Sequence, residues 1–415
     1  MKTSSIRILV FSISIFFLAI YKFCCVRTIH AEVPIFKINL DLAPEKRWDS
    51  IIEKLPSSML IQCAQHIDLM LNRAKFKVAP QLHELMKSPL LPEEYKKELI
   101  GISQSLEKKL GKLPYTLSYE NLLLMNIVYE LFTCCTSGII LNNERMPYLF
   151  RNLDWPAPFL RSCVINIDWY KDNNILFKTT GFPFLVGVYT GEKNQQFAIS
   201  INSRHAVNGS IKENLTDYIK NPADTWTISI LTRYVLEHAK NYREAYLIFK
   251  KTKLIAPAYI TLAGLNENEG VILARNRTNI QLKDSLKKWL RYYPQKNMHL
   301  NPEDISSPLI IDPQESHTKY IIVTNIDQNY PAKQDKKWAC KTERCNPLQL
   351  ETKKGSLGPQ FRRNTALNSC AMLSQNFTIE DLFQKVLWVK PNFNKQTIYS
   401  TVMCPHKNLL VSFLT

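Results

Sequence analysis

The chain has 415 residues, 45% of them hydrophobic, and carries 53 Lys and Arg against 36 Asp and Glu for a formal net charge of +17. That apolar content excludes a disordered chain and suits one large domain or two coupled parts. The basic residues are scattered, with no polybasic block and no aromatic-interleaved stripe, so a nucleic-acid reader is excluded, and an anionic membrane surface or a plain solvated surface answers the charge.

From the N-terminus, residues 1–31 read as an export signal. Lys2 and Arg7 supply a positive end, and Ile8 to Tyr21 is an almost unbroken apolar run. The run is shorter than the about 20 residues of a membrane span, so a cleaved signal is expected rather than an uncleaved anchor. Ala31 or Ala19 offers the small residue at the cut. Residues 32–134 then read as mostly helical. Asp41 is expected to cap a helix that holds Pro44 in its first turn and runs through Arg47 and Trp48. Apolar residues at three-to-four spacing predict helices over 57–74, 92–110 and 117–132, the last running straight into Cys134 and Cys135.

At Cys135 the periodicity changes. Val164 to Trp169, Phe184 to Tyr189, Phe197 to Asn202, Ala258 to Leu262, Gly270 to Ala274 and Tyr320 to Thr324 read as short strands. Helices are expected over 224–240 and 242–252, and another from Thr378, where Asp381 three residues on suggests a capping arrangement. The polar stretch 328–360 reads as a surface insertion, pinched by a disulfide between its own Cys340 and Cys345. The chain is therefore α+β, a helical part of 32–134 before a part of 135–415 built on a largely antiparallel sheet.

Four N-x-S/T sequons, at Asn208, Asn214, Asn276 and Asn376, fit an exported, glycosylated surface. Ten cysteines occur, but no CxxC pair and no histidine at ligand spacing, so disulfides are expected and a metal site is not. There is no GxSxG elbow, HExxH pair or phosphate-binding glycine loop, and no cofactor is implied.

One constellation remains: Cys135-Thr136-Ser137 followed by Arg151-Asn152-Leu153-Asp154. A nucleophilic residue at a helix-to-strand junction is what an N-terminal-nucleophile hydrolase requires. If the bond between Cys134 and Cys135 is cut, Cys135 supplies both a thiol and an α-amine, whose reference pKa of about 7.7–8.0 suits a general base, and no histidine is needed. Arg151 would hold a carbonyl and favour the thiolate, and Asp154 would orient the amine. By itself the motif also describes a buried structural cysteine near a surface arginine and aspartate.

Longer stretches resemble acid ceramidase and its relative N-acylethanolamine acid amidase. They are Ile38-Asn39-Leu40-Asp41-Leu42 with Lys46-Arg47-Trp48, Tyr129-Glu130-Leu131-Phe132-Thr133, Leu231-Thr232-Arg233, and above all Thr252-Lys253-Leu254-Ile255-Ala256-Pro257-Ala258-Tyr259 with Arg275-Asn276-Arg277. The resemblance implies the αββα sandwich of N-terminal-nucleophile hydrolases, a lysosomal or secreted enzyme, and self-cleavage into α (32–134) and β (135–415) subunits. It also implies hydrolysis of an N-acyl lipid amide, with ceramide first and N-acylethanolamine as the alternative, and a catalytically inactive lipid-binding homologue as the rival. A saposin-like lipid activator is an implied partner. Cys135 matches the family's nucleophile, Arg151 and Asp154 the Arg and Asp behind it, Asn325 an oxyanion-holding Asn, and Arg362 the first Arg of an Arg-Arg pair. Cys370 matches a cysteine that joins the two subunits, with Cys24 or Cys25 as its candidate partner. The chain departs from the family at Phe150, where glycine is common, at Gln360-Phe361, where an acidic pair stands, and at Ser203, where an acidic residue is expected.

Overall fold

The computed structural model describes residues 31–68, 91–111, 117–132, 134–204, 219, 225–277, 309–310, 319–326 and 358–415. The export signal with Cys24 and Cys25, the sequons at Asn208 and Asn214, Cys340, Cys345 and nearly all of 328–360 lie outside the described residues.

The chain opens on strand β1 (Ile35–Asn39), a 3-10 turn at Pro44–Lys46, and helices α1 (Asp49–Lys54), α2 (57–68) and α3 (Glu93–Leu110). Helix α4 (Tyr119–Phe132) leads into β2 (Cys134–Leu141), which turns back as β3 (Pro147–Asp154). Then come β4 (Ile165–Lys171), β5 (Asn174–Gly181), β6 (Thr190–Lys193), β7 (Phe197–Ser203) and β8 (Thr225–Trp226). Helices α5 (Ile228–His238) and α6 (Tyr242–Lys251) precede β9 (Lys253–Leu254), β10 (Ala258–Ala263), β11 (Gly270–Arg275), β12 (Leu309–Ile310) and β13 (Tyr320–Val323). Helices α7 (Pro359–Met372) and α8 (Ile379–Leu382) lead to the closing strands β14 (Thr397–Cys404) and β15 (Leu409–Leu414).

Two sheets stack. The larger has the order β1-β4-β5-β6-β7-β10-β11-β12 and the smaller β13-β2-β3-β14-β15. Between them Ile139, Leu149 and Met403 of the smaller sheet meet Ala198, Tyr259 and Ile272 of the larger. Because side chains alternate along a strand, each sheet has a second apolar face to cover. Helices α5 and α6 cover that of the larger sheet, where Leu231, Leu236 and Phe249 join Ile199 and Ile201. Helix α7 and the π-helical turn Phe383–Leu387 cover that of the smaller, where Ala366 and Phe383 join Ile140, Phe150 and Val402. The result is the expected αββα sandwich.

Several expectations need correction. Phe184 to Tyr189 is a buried loop and no strand. Its backbone is satisfied by α4 instead of a sheet neighbour, since Asn126 Oδ1 accepts the N–H groups of Val186 at 3.0 Å and Gly187 at 3.2 Å. Asp41 caps no helix. Trp48 holds the N-cap of α1, and the Asp41 carboxylate accepts the Asp172 N–H at 2.9 Å. The insertion ends before 358, because Gly358 caps α7 and Pro359 opens it. Cys370 is 3% exposed on the inner side of α7, where burial pushes its thiol up to about 12, and its candidate partners Cys24 and Cys25 lie outside the described residues. The disulfide among the described residues joins Cys63 of α2 to Cys163. The sequon at Asn376 is exposed, whereas Asn276 is half-buried and its Oδ1 accepts from Arg204 at 2.8 Å.

Candidate active site

Strand pairing sets Cys135 opposite Leu153 and Cys134 opposite Asp154. Alternation then divides the motif between two faces. Cys135 and Arg151 share the inter-sheet face with Ile139 and Leu149, while Thr136 and Asp154 share the face toward α7 with Ile140 and Phe150.

On the inter-sheet face the Cys135 side chain is fully buried, and Arg151 Nη2 donates to its Sγ at 3.0 Å. The guanidinium thus sets a fixed positive charge against the sulfur. The other nitrogen of Arg151, Nη1, donates to the Tyr189 carbonyl at 2.8 Å and to Thr190 Oγ1 at 2.9 Å.

On the other face Arg362 gathers the remaining groups. Its Nη1 lies 2.8 Å from the Cys135 carbonyl, 3.0 Å from Thr136 Oγ1 and 3.2 Å from Asp154 Oδ2. Its Nη2 donates to Asn325 Oδ1 at 2.8 Å, and the same oxygen accepts the Cys135 N–H at 2.8 Å. In the uncut chain that nitrogen is a peptide N–H, and it stands in for the α-amine that a cut before Cys135 would free. Asn325 thus faces the nucleophile with its acceptor, because both neighbours can only donate. Its Nδ2 donates to the Ser203 carbonyl at 2.8 Å. In this uncut state Asn325 fixes the nitrogen of the nucleophile through its side-chain oxygen.

Asp154 is fully buried. Burial pushes its carboxyl up to about 6, against the opposing pull of Arg362 and of bonds from Thr397 Oγ1 at 2.8 Å and Asn394 Nδ2 at 3.1 Å. The five residues expected from sequence therefore form one cluster around the Cys135 backbone and thiol. Asn202 was not anticipated; it ties the sheets together by accepting from Ser137 Oγ at 2.7 Å. Thr397 and Asn394 were missed too, because they stand over 200 residues from the motif they serve. The alternation across Thr397–Cys404 was the available signal.

Two departures from the family have local explanations. Phe150 lies opposite Gly138, and a Cβ on Gly138 would come within 2.5 Å of the Phe150 ring, so the bulk and the gap fit each other across the hairpin. Ser203 acts through its carbonyl, which any residue type supplies. Among the described residues no three His, Cys, Asp or Glu side chains stand together as metal ligands.

The family model described as "Linear amide C-N hydrolases, choloylglycine hydrolase family" matches residues 135–286, beginning at the cysteine. A second, described as "beta subunit of N-acylethanolamine-hydrolyzing acid amidase", matches residues 31–74. Acid ceramidase of Heterocephalus glaber is 29% identical over 411 residues, covering 93% of this chain and 87% of that one. Acid ceramidase of Homo sapiens is 27% identical over 408 residues with the same coverage. Among solved structures, the Caenorhabditis elegans N-acylethanolamine-hydrolyzing acid amidase ortholog is 24% identical, covering 66% of this chain and 93% of that one, at a TM-score of 0.47. The resemblance to acid ceramidase runs through both halves of the chain.

Proposed function

We propose that this chain, a linear-amide hydrolase of the N-terminal-nucleophile type, cuts itself between Cys134 and Cys135 and then hydrolyses ceramide to a sphingoid base and a free fatty acid. The observation that carries the reading is the pair of contacts on one residue, Arg151 Nη2 to Cys135 Sγ at 3.0 Å and Asn325 Oδ1 to Cys135 N at 2.8 Å. One steadies a thiolate and the other steadies the amine that would take the thiol proton.

In this scheme the freed α-amine, held by Asn325, accepts the thiol proton, and the thiolate adds to the lipid amide carbonyl. The oxyanion is held by donors of the site, each typically worth about 3–4 kcal/mol. The amine product leaves with the proton that the α-amine took up. Water then attacks the thioester, and the fatty acid departs. Arg362, bonded to the Cys135 carbonyl and to Asp154, fixes the strand end while the chain before it changes.

Ceramide is favoured because the acid ceramidases are matched over 93% of the chain. N-acylethanolamine is the second reading, favoured by the match at residues 31–74. The export signal and the exposed sequon at Asn376 support a lysosomal or secreted location. An anionic membrane surface and a saposin-like activator are proposed partners on the grounds of charge and substrate class.

The test compares wild type with Cys135→Ala on short-chain ceramide and on N-acylethanolamine at mildly acidic pH. Wild type is expected to split and to prefer ceramide, and the variant to stay one chain without activity. A variant that still hydrolyses either lipid would remove Cys135 from its role, and a preference for N-acylethanolamine would replace the substrate.

A further inference from the structure

Arg151 meets the nucleophile with one nitrogen and a polar chain with the other. Beyond Thr190 Oγ1 that chain continues to the Tyr399 hydroxyl at 2.8 Å, which lies 3.4 Å from the Thr180 carbonyl. Arg151 can only donate and the Thr180 carbonyl can only accept, so the protons are ordered from end to end. Arg151 donates to Thr190, Thr190 donates to Tyr399, and Tyr399 donates to Thr180. Such ordered chains strengthen each member in a low-dielectric interior. All four residues are at most 1% exposed, and the Tyr399 ring lies 5.8 Å from the guanidinium carbon.

The backbone explains why Tyr399 is there. Strand β14 pairs Thr397 with Asp154 and Tyr399 with Leu153, so its register shifts between them. A bulge of this kind re-aims the side chains that flank it. Thr397 therefore reaches Asp154 on one face, while Tyr399 reaches Thr190 and the guanidinium on the other.

We propose that Thr190 and Tyr399 are positioning residues that hold Arg151 against the sulfur of the nucleophile. Their hydroxyls act on the sulfur through the guanidinium that they hold. The inference rests on Cys135 being the nucleophile, as proposed above. It adds that an opposing residue of the larger sheet and a residue of the closing part of the chain set the thiol's charge environment.

The test uses processed wild type, Tyr399→Phe, Thr190→Val and Thr190→Ser. Three quantities are read: kcat and KM on short-chain ceramide, the rate of Cys135 alkylation by iodoacetamide at mildly acidic pH, and the melting temperature. Losing one hydroxyl that orders a charged donor is expected to lower kcat about tenfold with KM within about twofold. Alkylation should slow in parallel, and Thr190→Ser should recover most of both. Unchanged kcat and alkylation in Tyr399→Phe overturn the proposal, as does a Thr190→Ser protein no better than Thr190→Val. If Thr190→Val does not fold, Tyr399→Phe and Thr190→Ser decide. A wild type that ignores ceramide while its alkylation rate still depends on Tyr399 would sink the substrate reading and leave the positioning role standing.

Discussion

The motif around Cys135 works because two arginines divide its labour. Arg151 addresses the sulfur from between the sheets, and Arg362 addresses the backbone and Asp154 from the α7 side. Asp154 carries a pH signature. Its folded-state carboxyl stands at about 6 against an ordinary value of 3.8, with burial as the largest cause. A raised acid stabilises the fold below its unfolded value and loses that contribution as pH rises through the folded one. The loss between pH 4 and 6 is about 3 kcal/mol on this shift. Denaturant titrations of wild type and Asp154→Asn across that window should show the wild type falling more steeply, by about that amount. Parallel pH profiles would mean that Asp154 keeps its ordinary titration.

One buried carboxylate joins elements of the N-terminal part to the rest of the chain. Glu98 of α3 receives Arg47 Nη1 at 2.9 Å, Trp48 Nε1 at 2.8 Å and, from α5, Arg233 Nη2 at 2.9 Å. Arg233 in turn lies 3.9 Å over the Trp169 ring and pairs with Glu237. Glu98 and Arg233 are fully buried, and removing one charge leaves the others uncompensated, typically at about 3–5 kcal/mol. Glu98→Gln should therefore lower stability by that order in chemical denaturation, whereas Glu93→Gln, which breaks only the exposed pair with Lys96, should be barely measurable. Equal effects would deny Glu98 its bridging role. Much of this level was legible in the sequence. Helices α3 to α6 and strands β4, β7, β10, β11 and β13 follow from local periodicity, and the Thr378–Asp381 capping box from its spacing. Strand β1 was hidden because its partner β4 lies 130 residues on. The loop at 184–189 was misread because burial by α4 gives a loop the apolar alternation of a strand. The five site residues were legible through family likeness, whereas Thr190, Tyr399 and Thr397 depend on sheet stacking and a bulge that no local pattern encodes.

In the whole molecule, the segment before Cys135 is part of the fold. It supplies edge strand β1, paired in parallel with β4, and helices packed on the core, and the Cys63–Cys163 disulfide ties it to the part that follows. A cut before Cys135 would therefore free an amine without releasing the N-terminal part. A second buried acid, Glu192 of β6, is fully enclosed, and burial pushes it up to about 8 against the pull of Lys178. With Asp154 at about 6, the sandwich holds two carboxyls that become costly as pH rises toward their folded-state values. Such a fold suits an acidic compartment, the destination proposed from the export signal and sequons. The most direct test is to incubate the purified precursor at mildly acidic pH and sequence the N-terminus of the large fragment. A fragment that begins at Cys135 and, without reductant, stays with its N-terminal partner is expected. A chain that remains whole at every acidic pH, or a fragment that begins elsewhere, would contradict that expectation.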